Sequence, residues 1–217
     1  MRTTANLAPR RGRPPQSQAE QIEEHILVTA TAFFLCEGYG RTSIEAISKE
    51  AGISKRTFYH RFNDKAALFS AVVHRLIARL RPQSVDDLFI GQSLQEILLR
   101  IGHVILHASL SEEALGLHRI LMSEAARFPE LARILDAEGT RQEAAERIAA
   151  LLQQELAKIK APFPVHMNFA AEQFMQMIIA TPQRNALGLG AAMTPRELDA
   201  WVAQTVELFL HGIMPQS

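Results

Sequence analysis

Cys36 is the single cysteine in this 217-residue chain, so no intramolecular disulfide can form. Its neighbours Phe33, Phe34 and Leu35 point to a small buried hydrophobe rather than a redox or catalytic thiol. No run approaches the ~20 apolar residues of a membrane span, so no membrane partner is expected. The basic N-terminus lacks the apolar stretch of a secretion signal, and the chain reads as cytoplasmic. Internal repeats and alternating strand patterns are absent too. There is no Gly-rich phosphate loop and no nucleophile–base set. Glu112, Glu113 and Glu124 are carboxylates without such a partner, and acidic residues are expected at helix starts from the dipole. No enzyme is expected. His103 and His107 at i,i+4, with His118, have a spacing that can bring imidazoles to one ion. Glu96, Arg100, His103 and His107 nevertheless form one polar stripe, which reads as a solvated helix face. Neither a metal nor another cofactor is expected.

Net charge is absent as well, but only on average. Residues 1–81 hold 13 Lys and Arg against 7 Asp and Glu, a net of +6. Residues 82–217 hold 10 against 16, a net of −6. A basic N-terminal third suits a polyanion, which the acidic remainder would repel.

What the chain does have is helical periodicity almost throughout. Residues 1–16, with Arg10, Arg11 and Arg13 among Pro and Gly, form a basic arm expected to be mobile in the free protein. Such an arm either follows DNA phosphates and the minor groove or is a solubilising tail. Residues 17–81 carry four helical segments, the first with Ile22, Ile26, Ala30 and Phe33 on one face. Asn63 or Asp64 starts the fourth, which contains Leu68, Val72, Leu76 and Leu80. Pro82 to Gln92 reads as a connection, and residues 82–217 as a second helical region. There Ser93-x-x-Glu96 and Ser111 open helices. One long helix is expected over roughly 129–160, broken by Pro162 and Pro164. Two more follow at about 166–187 and 194–212, the latter started by Thr194-Pro195-x-Glu197. The fold class is all-α.

Residues Gly38 to Phe69 carry the chemistry. Thr42 and Glu45 have the Thr-x-x-Glu spacing of a capping box; Ile44, Ile47 and Ala51 mark one helical face, and Gly52 suits the reversal that follows. Ser54 can cap a second short helix, in which Phe58 and Phe62 at i,i+4 share an inward face. At 100° per residue Arg56 and His60 point away, with Thr57 and Tyr59 on the flanks. This is the pattern of a helix-turn-helix whose second helix enters the major groove.

The segment closely resembles the N-terminal domain of the TetR family of bacterial transcriptional regulators. The shared elements are Gly38-Tyr39, Thr42-Ser43, Ile44 to Ser48, Ala51 to Ser54, Thr57 to Phe62 and Lys65 to Phe69. Together with the preceding helix they cover roughly residues 20–80. Arg56 departs from the small residue common there, and Arg61 and Asn63-Asp64 also replace commoner choices. These changes bear on which operator is read. Farther on, Glu124 to Leu131 is similar to a Glu-Ala-x-Arg-Phe-Pro-Glu-Leu run of some such regulators.

Arg56, Thr57, Tyr59 and His60 are therefore expected to read base edges of a double-stranded operator, Arg56 above all, since its fork fits guanine O6 and N7. Thr42, Lys55 and Lys65 are expected to hold phosphates. The resemblance implies a homodimer through the last two helices, both apolar over much of their circumference. Ile178, Trp201, Thr205, Leu208 and Phe209 are the expected interface residues. It also implies a small-molecule effector site, for which Met122, Phe128, Phe169, Phe174 and Met175 are the candidate lining. The expected ligand is small and largely apolar, and the expected function is a repressor it releases. An effector-free architectural DNA-binding protein is the main alternative, and an enzyme on the helical C-terminal region the other.

Overall fold

The computed structural model describes residues 16–82, 84–91, 93–158 and 165–213; Arg10, Arg11 and Arg13 lie outside them. The described residues form helices and no strand. Helix α1 (Gln16–Glu37) ends at Gly38, where φ is +86°. Two short helices follow, α2 (Ile44–Glu50) and α3 (Lys55–Tyr59), then α4 (Lys65–Leu80). Asp64 starts α4 by accepting the Ala67 N–H at 2.7 Å.

The connection after α4 contains a short 3-10 turn, Asp86–Phe89, which packs on α5 (Leu94–Ser109). Ser93 and Ser111 cap α5 and α6 (Glu112–Glu124), as their sequence positions predict. The single long helix expected over 129–160 is two helices, α7 (Glu130–Ala137) and α8 (Thr140–Lys158). Gly139, at φ +62°, sits between them. A left-handed residue cannot continue an α-helix, and glycine takes that conformation at least cost. Helix α9 (Met167–Arg184) runs into an irregular segment at 185–189, and α10 (Pro195–Ile213) closes the chain. Its start is a capping box: Glu197 Oε2 accepts the Thr194 N–H at 2.7 Å.

Two cores result. One gathers α5, α8, α9 and α10 around Leu98, Leu152, Phe174, Ile178 and Val206. The other holds α1 to α4 around Phe34, Ile47, Phe58, Phe69 and Val72. Leu117 and Ile120 of α6 and Leu131 of α7 join this second core. Packing therefore carries the N-terminal unit beyond residue 81, because α6 and α7 lie against α1 and α4. Cys36 is exposed rather than buried: the inward positions at the end of α1 are taken by Phe33 and Phe34.

Candidate nucleic-acid interface and cavity

Ser43, not Thr42, caps α2, its Oγ accepting the Ala46 N–H at 3.1 Å. Thr42 is buried, and its hydroxyl donates to the Gly38 carbonyl at 2.7 Å. Its hydroxyl is thus used inside the fold, and the phosphate contact expected at the start of α2 falls to the backbone there.

In α3, Ser54 accepts the Thr57 N–H at 3.0 Å and lies 2.9 Å from the Thr57 hydroxyl. Phe58 and Phe62 are buried with ring centres 5.6 Å apart. Fully burying one such ring contributes about 1.5–3 kcal/mol, so the pair seats a helix too short to be stable alone. With that face buried, Arg56, Tyr59 and His60 stand exposed on the other side, while Thr57 is half-buried. Lys55 is exposed beside them, with Nζ 2.6 Å from Glu45 Oε1. This contact draws the Glu45 carboxyl below its ordinary pKa and raises the Lys55 ammonium.

Lys65 differs from Lys55. Its Nζ donates to the carbonyls of Tyr39 at 2.9 Å and Thr42 at 3.1 Å. The ammonium also stands 4.4 Å from the centre of the Tyr39 ring, a cation–π geometry. Burial lowers its pKa. Two of three donors are spent on the loop between α1 and α2, so Lys65, expected as a phosphate ligand, clamps that loop. Arg61, which departs from the commoner residue, donates to the Ala19 carbonyl at 3.1 Å and ties the end of the reading unit to the start of α1.

Farther from the reader lies a cavity of about 460 Å³. Ile77, Leu80 and Arg81 from the end of α4 form one wall; Leu88, Val104 and Ile179 are among the others. Ion pairs frame it: Arg81 with Glu143, Arg147 with Asp86 at 2.7 Å. Of the residues expected to line a ligand site, Met175 alone does. Met122 and Phe169 are exposed, Phe174 is packed on Phe209 in the core, and Phe128 leans on the Tyr39 ring. Helical periodicity marks all of these as apolar positions, but which of them faces a void depends on the neighbouring helix. The walls from α4 and the 3-10 turn have no sequence signal, since periodicity and composition mark them only as core and connection.

The interface residues also sort differently. Ile178, Thr205 and Phe209 are buried within the chain itself. Trp201 Nε1 donates to the carbonyls of Met177 and Ile178 at 3.2 and 3.1 Å, pinning α10 to α9. Leu208 is 65% exposed and Trp201 half-buried, and Leu189 and Phe169 are also exposed. Ile178, Thr205 and Phe209, expected at the interface, lie in the core that joins α9 and α10 within one chain. His103 lies 3.7 Å from Asp199, and no group of residues among those described can hold a metal ion. None of the described helices is long and apolar enough to cross a membrane.

A five-residue helix with the turn that ends it, seated by two phenylalanines and presenting Arg, Tyr and His from a basic N-terminal unit, defines a helix-turn-helix DNA-binding protein. Residues 26–72 match the bacterial regulatory proteins of the tetR family, and residues 96–212 match the C-terminal domain of AefR-like transcriptional repressors. The chain belongs to the TetR family of transcriptional regulators. The UidR regulator of Escherichia coli K12 is 30% identical over 127 residues. That match spans 55% of this chain and 60% of UidR, less than two thirds of the relative's length. A solved TetR-family regulator from Mesorhizobium loti aligns with TM-score 0.72 at 26% identity, over 90% of this chain and 98% of that one. The flavonoid-responsive regulator FrrA gives TM-score 0.72 at 27% identity, over 91% of this chain and all of its own, 100%.

Proposed function

We propose that the chain is a homodimeric repressor that leaves its operator when a small, largely apolar ligand enters the 460 Å³ cavity. The observation that carries this reading is the course of α4. Its first residue, Lys65, clamps the loop that leads into α2, and its last turns supply Ile77 and Leu80 to the cavity wall. One rigid helix therefore joins ligand and reader. A ligand acts only through its different affinity for the DNA-competent and DNA-incompetent arrangements; about 3 kcal/mol of difference changes operator affinity roughly 150-fold.

In this reading Arg56, Tyr59 and His60 meet base edges, Thr57 supports Ser54 at the helix start, and Lys55 leaves Glu45 for a phosphate. The basic arm at Arg10, Arg11 and Arg13 adds electrostatic attraction. The cavity lies within the usual range for small-molecule sites, and its apolar walls suit a hydrocarbon or ring system. A polar substituent would meet the Arg81–Glu143 frame. FrrA, similar over 91% of this chain, is flavonoid-responsive, which supports a ligand of fused or linked rings. The outer face of α9 and α10, with Leu208 and Phe169 exposed, is the proposed contact between two copies.

The test has two stages. A duplex is enriched from random DNA by the chain, and a library of small apolar compounds is screened by thermal shift. Hits that raise the melting temperature should also weaken binding to the enriched duplex. No enriched sequence would remove the DNA-reading claim; an enriched sequence with no hit that alters affinity would leave the effector-free regulator.

A further inference from the structure

Glu124 ends α6, where the helix dipole disfavours a carboxylate. It is held there by two successive backbone amides far away in sequence. Oε1 accepts the Tyr39 N–H at 2.8 Å and Oε2 the Gly40 N–H at 2.6 Å. Charge-assisted bonds of this kind are short and strong. The loop is shaped for the approach. A Cβ at Gly40 would stand 2.8 Å from Glu124 Oε2 and 3.1 Å from Phe128 Cε2, and one at Gly38 would collide with Oε1. Gly38 also has φ +86°, which side chains rarely adopt.

Several polar groups of this short loop have partners distant in sequence. Glu124 takes the Tyr39 and Gly40 amides, Lys65 takes the Tyr39 and Thr42 carbonyls, and Glu130 accepts the Tyr39 hydroxyl at 3.3 Å. Phe128 closes on the Tyr39 ring at 5.1 Å. The run Glu124 to Glu130 thus grips residues 39–42, immediately before the Ser43 cap of α2. At its other end α6 reaches the cavity through Ala114, roughly 15 Å away along the helix axis.

We propose that Glu124 is a positioning residue: by gripping the Tyr39 and Gly40 amides it sets the angle of the DNA-reading unit on the rest of the chain. This rests on the DNA-binding reading above. Non-specific binding tolerates a range of angles, whereas two readers on one operator need a fixed one, so the grip governs specific binding alone.

The test compares the full-length chain with Glu124→Gln, which sets an amide N–H₂ against one of the two loop amides. Hydrogen exchange at Tyr39 and Gly40 should accelerate on the order of tenfold as the loop opens locally. Affinity for a duplex enriched by the wild type should fall on the order of tenfold, while affinity for random duplex stays constant. Should Glu124→Gln fail to fold, Gly40→Ala opens the grip from the loop side and is read the same way. Unchanged exchange, unchanged affinity for the enriched duplex, or equal loss on both duplexes would each overturn the proposal. If the wild type enriches no sequence, the DNA-reading claim fails by itself; accelerated exchange then upholds the grip, and unchanged exchange refutes it.

Discussion

Lys65 Nζ stands 2.9 Å from the Tyr39 carbonyl oxygen and 4.4 Å from the centre of the same residue's ring. One ammonium thereby satisfies backbone and aromatic face together. Lys65→Met should cost about 1–3 kcal/mol of stability, because the Tyr39 and Thr42 carbonyls lose a charged donor. The salt dependence of binding to random DNA should not change, as no phosphate contact is lost. Denaturant unfolding and a salt titration measure the two quantities separately, and a slope lowered by about one would restore Lys65 to the phosphate contacts.

Arg56 is exposed and has its back to the buried Phe58. Arg56→Ala should cost about 1–3 kcal/mol on the enriched duplex and relax preference at one or two base pairs. The fold should be unaffected, since the side chain is exposed. An operator-mutant panel with the same base preference in both proteins would exclude Arg56 from readout.

Glu45 faces Lys55 across an exposed ion pair of 2.6 Å. Such pairs add little to stability, so Glu45→Gln should leave the melting temperature essentially where it was. The freed ammonium should strengthen binding to random DNA and raise the salt slope by up to about one counterion. Unaltered binding would mean that Lys55 faces no phosphate.

Leu208 and Ile178 separate assembly from folding. Leu208 is 65% exposed and Ile178 fully buried, 0%. A charge at Leu208 should yield folded monomer by sedimentation, with helix content retained. A charge at Ile178 should unfold the α9–α10 core, since an unpaired buried charge costs several kcal/mol. An intact dimer of Leu208→Glu would move the contact elsewhere.

Tyr39 should give the chain an alkaline limit. Burial first, and then the Glu130 and other nearby carboxylates, push its phenol up to about 12. The folded value lies above the unfolded one of about 10, so this contribution to stability is complete below pH ~10 and is lost as pH rises through about 12. In a Tyr59→Phe background, phenolate absorbance should report that late titration, and Tyr39→Phe should flatten the loss of stability between those limits. A Tyr39 phenol titrating near 10 would contradict the burial argument.

Much of this protein is legible along the chain. Ser93, Ser111, Asp64 and Thr194 cap the helices their positions announce, because capping is a contact across three residues. The i,i+4 pair Phe58 and Phe62 fixes which side of α3 is buried, and hence that Arg56, Tyr59 and His60 face outward. Tertiary structure decided the rest. Lys55 and Lys65 are both lysines at helix starts, yet one is exposed near Glu45 and the other clamps a loop. The split at Gly139, the burial of Ile178 and Phe209 within one chain, and the cavity wall built from α4 follow the same rule. Periodicity states which face of a helix is apolar; only the packing of helices distant in sequence decides whether that face meets a neighbour, a void or solvent.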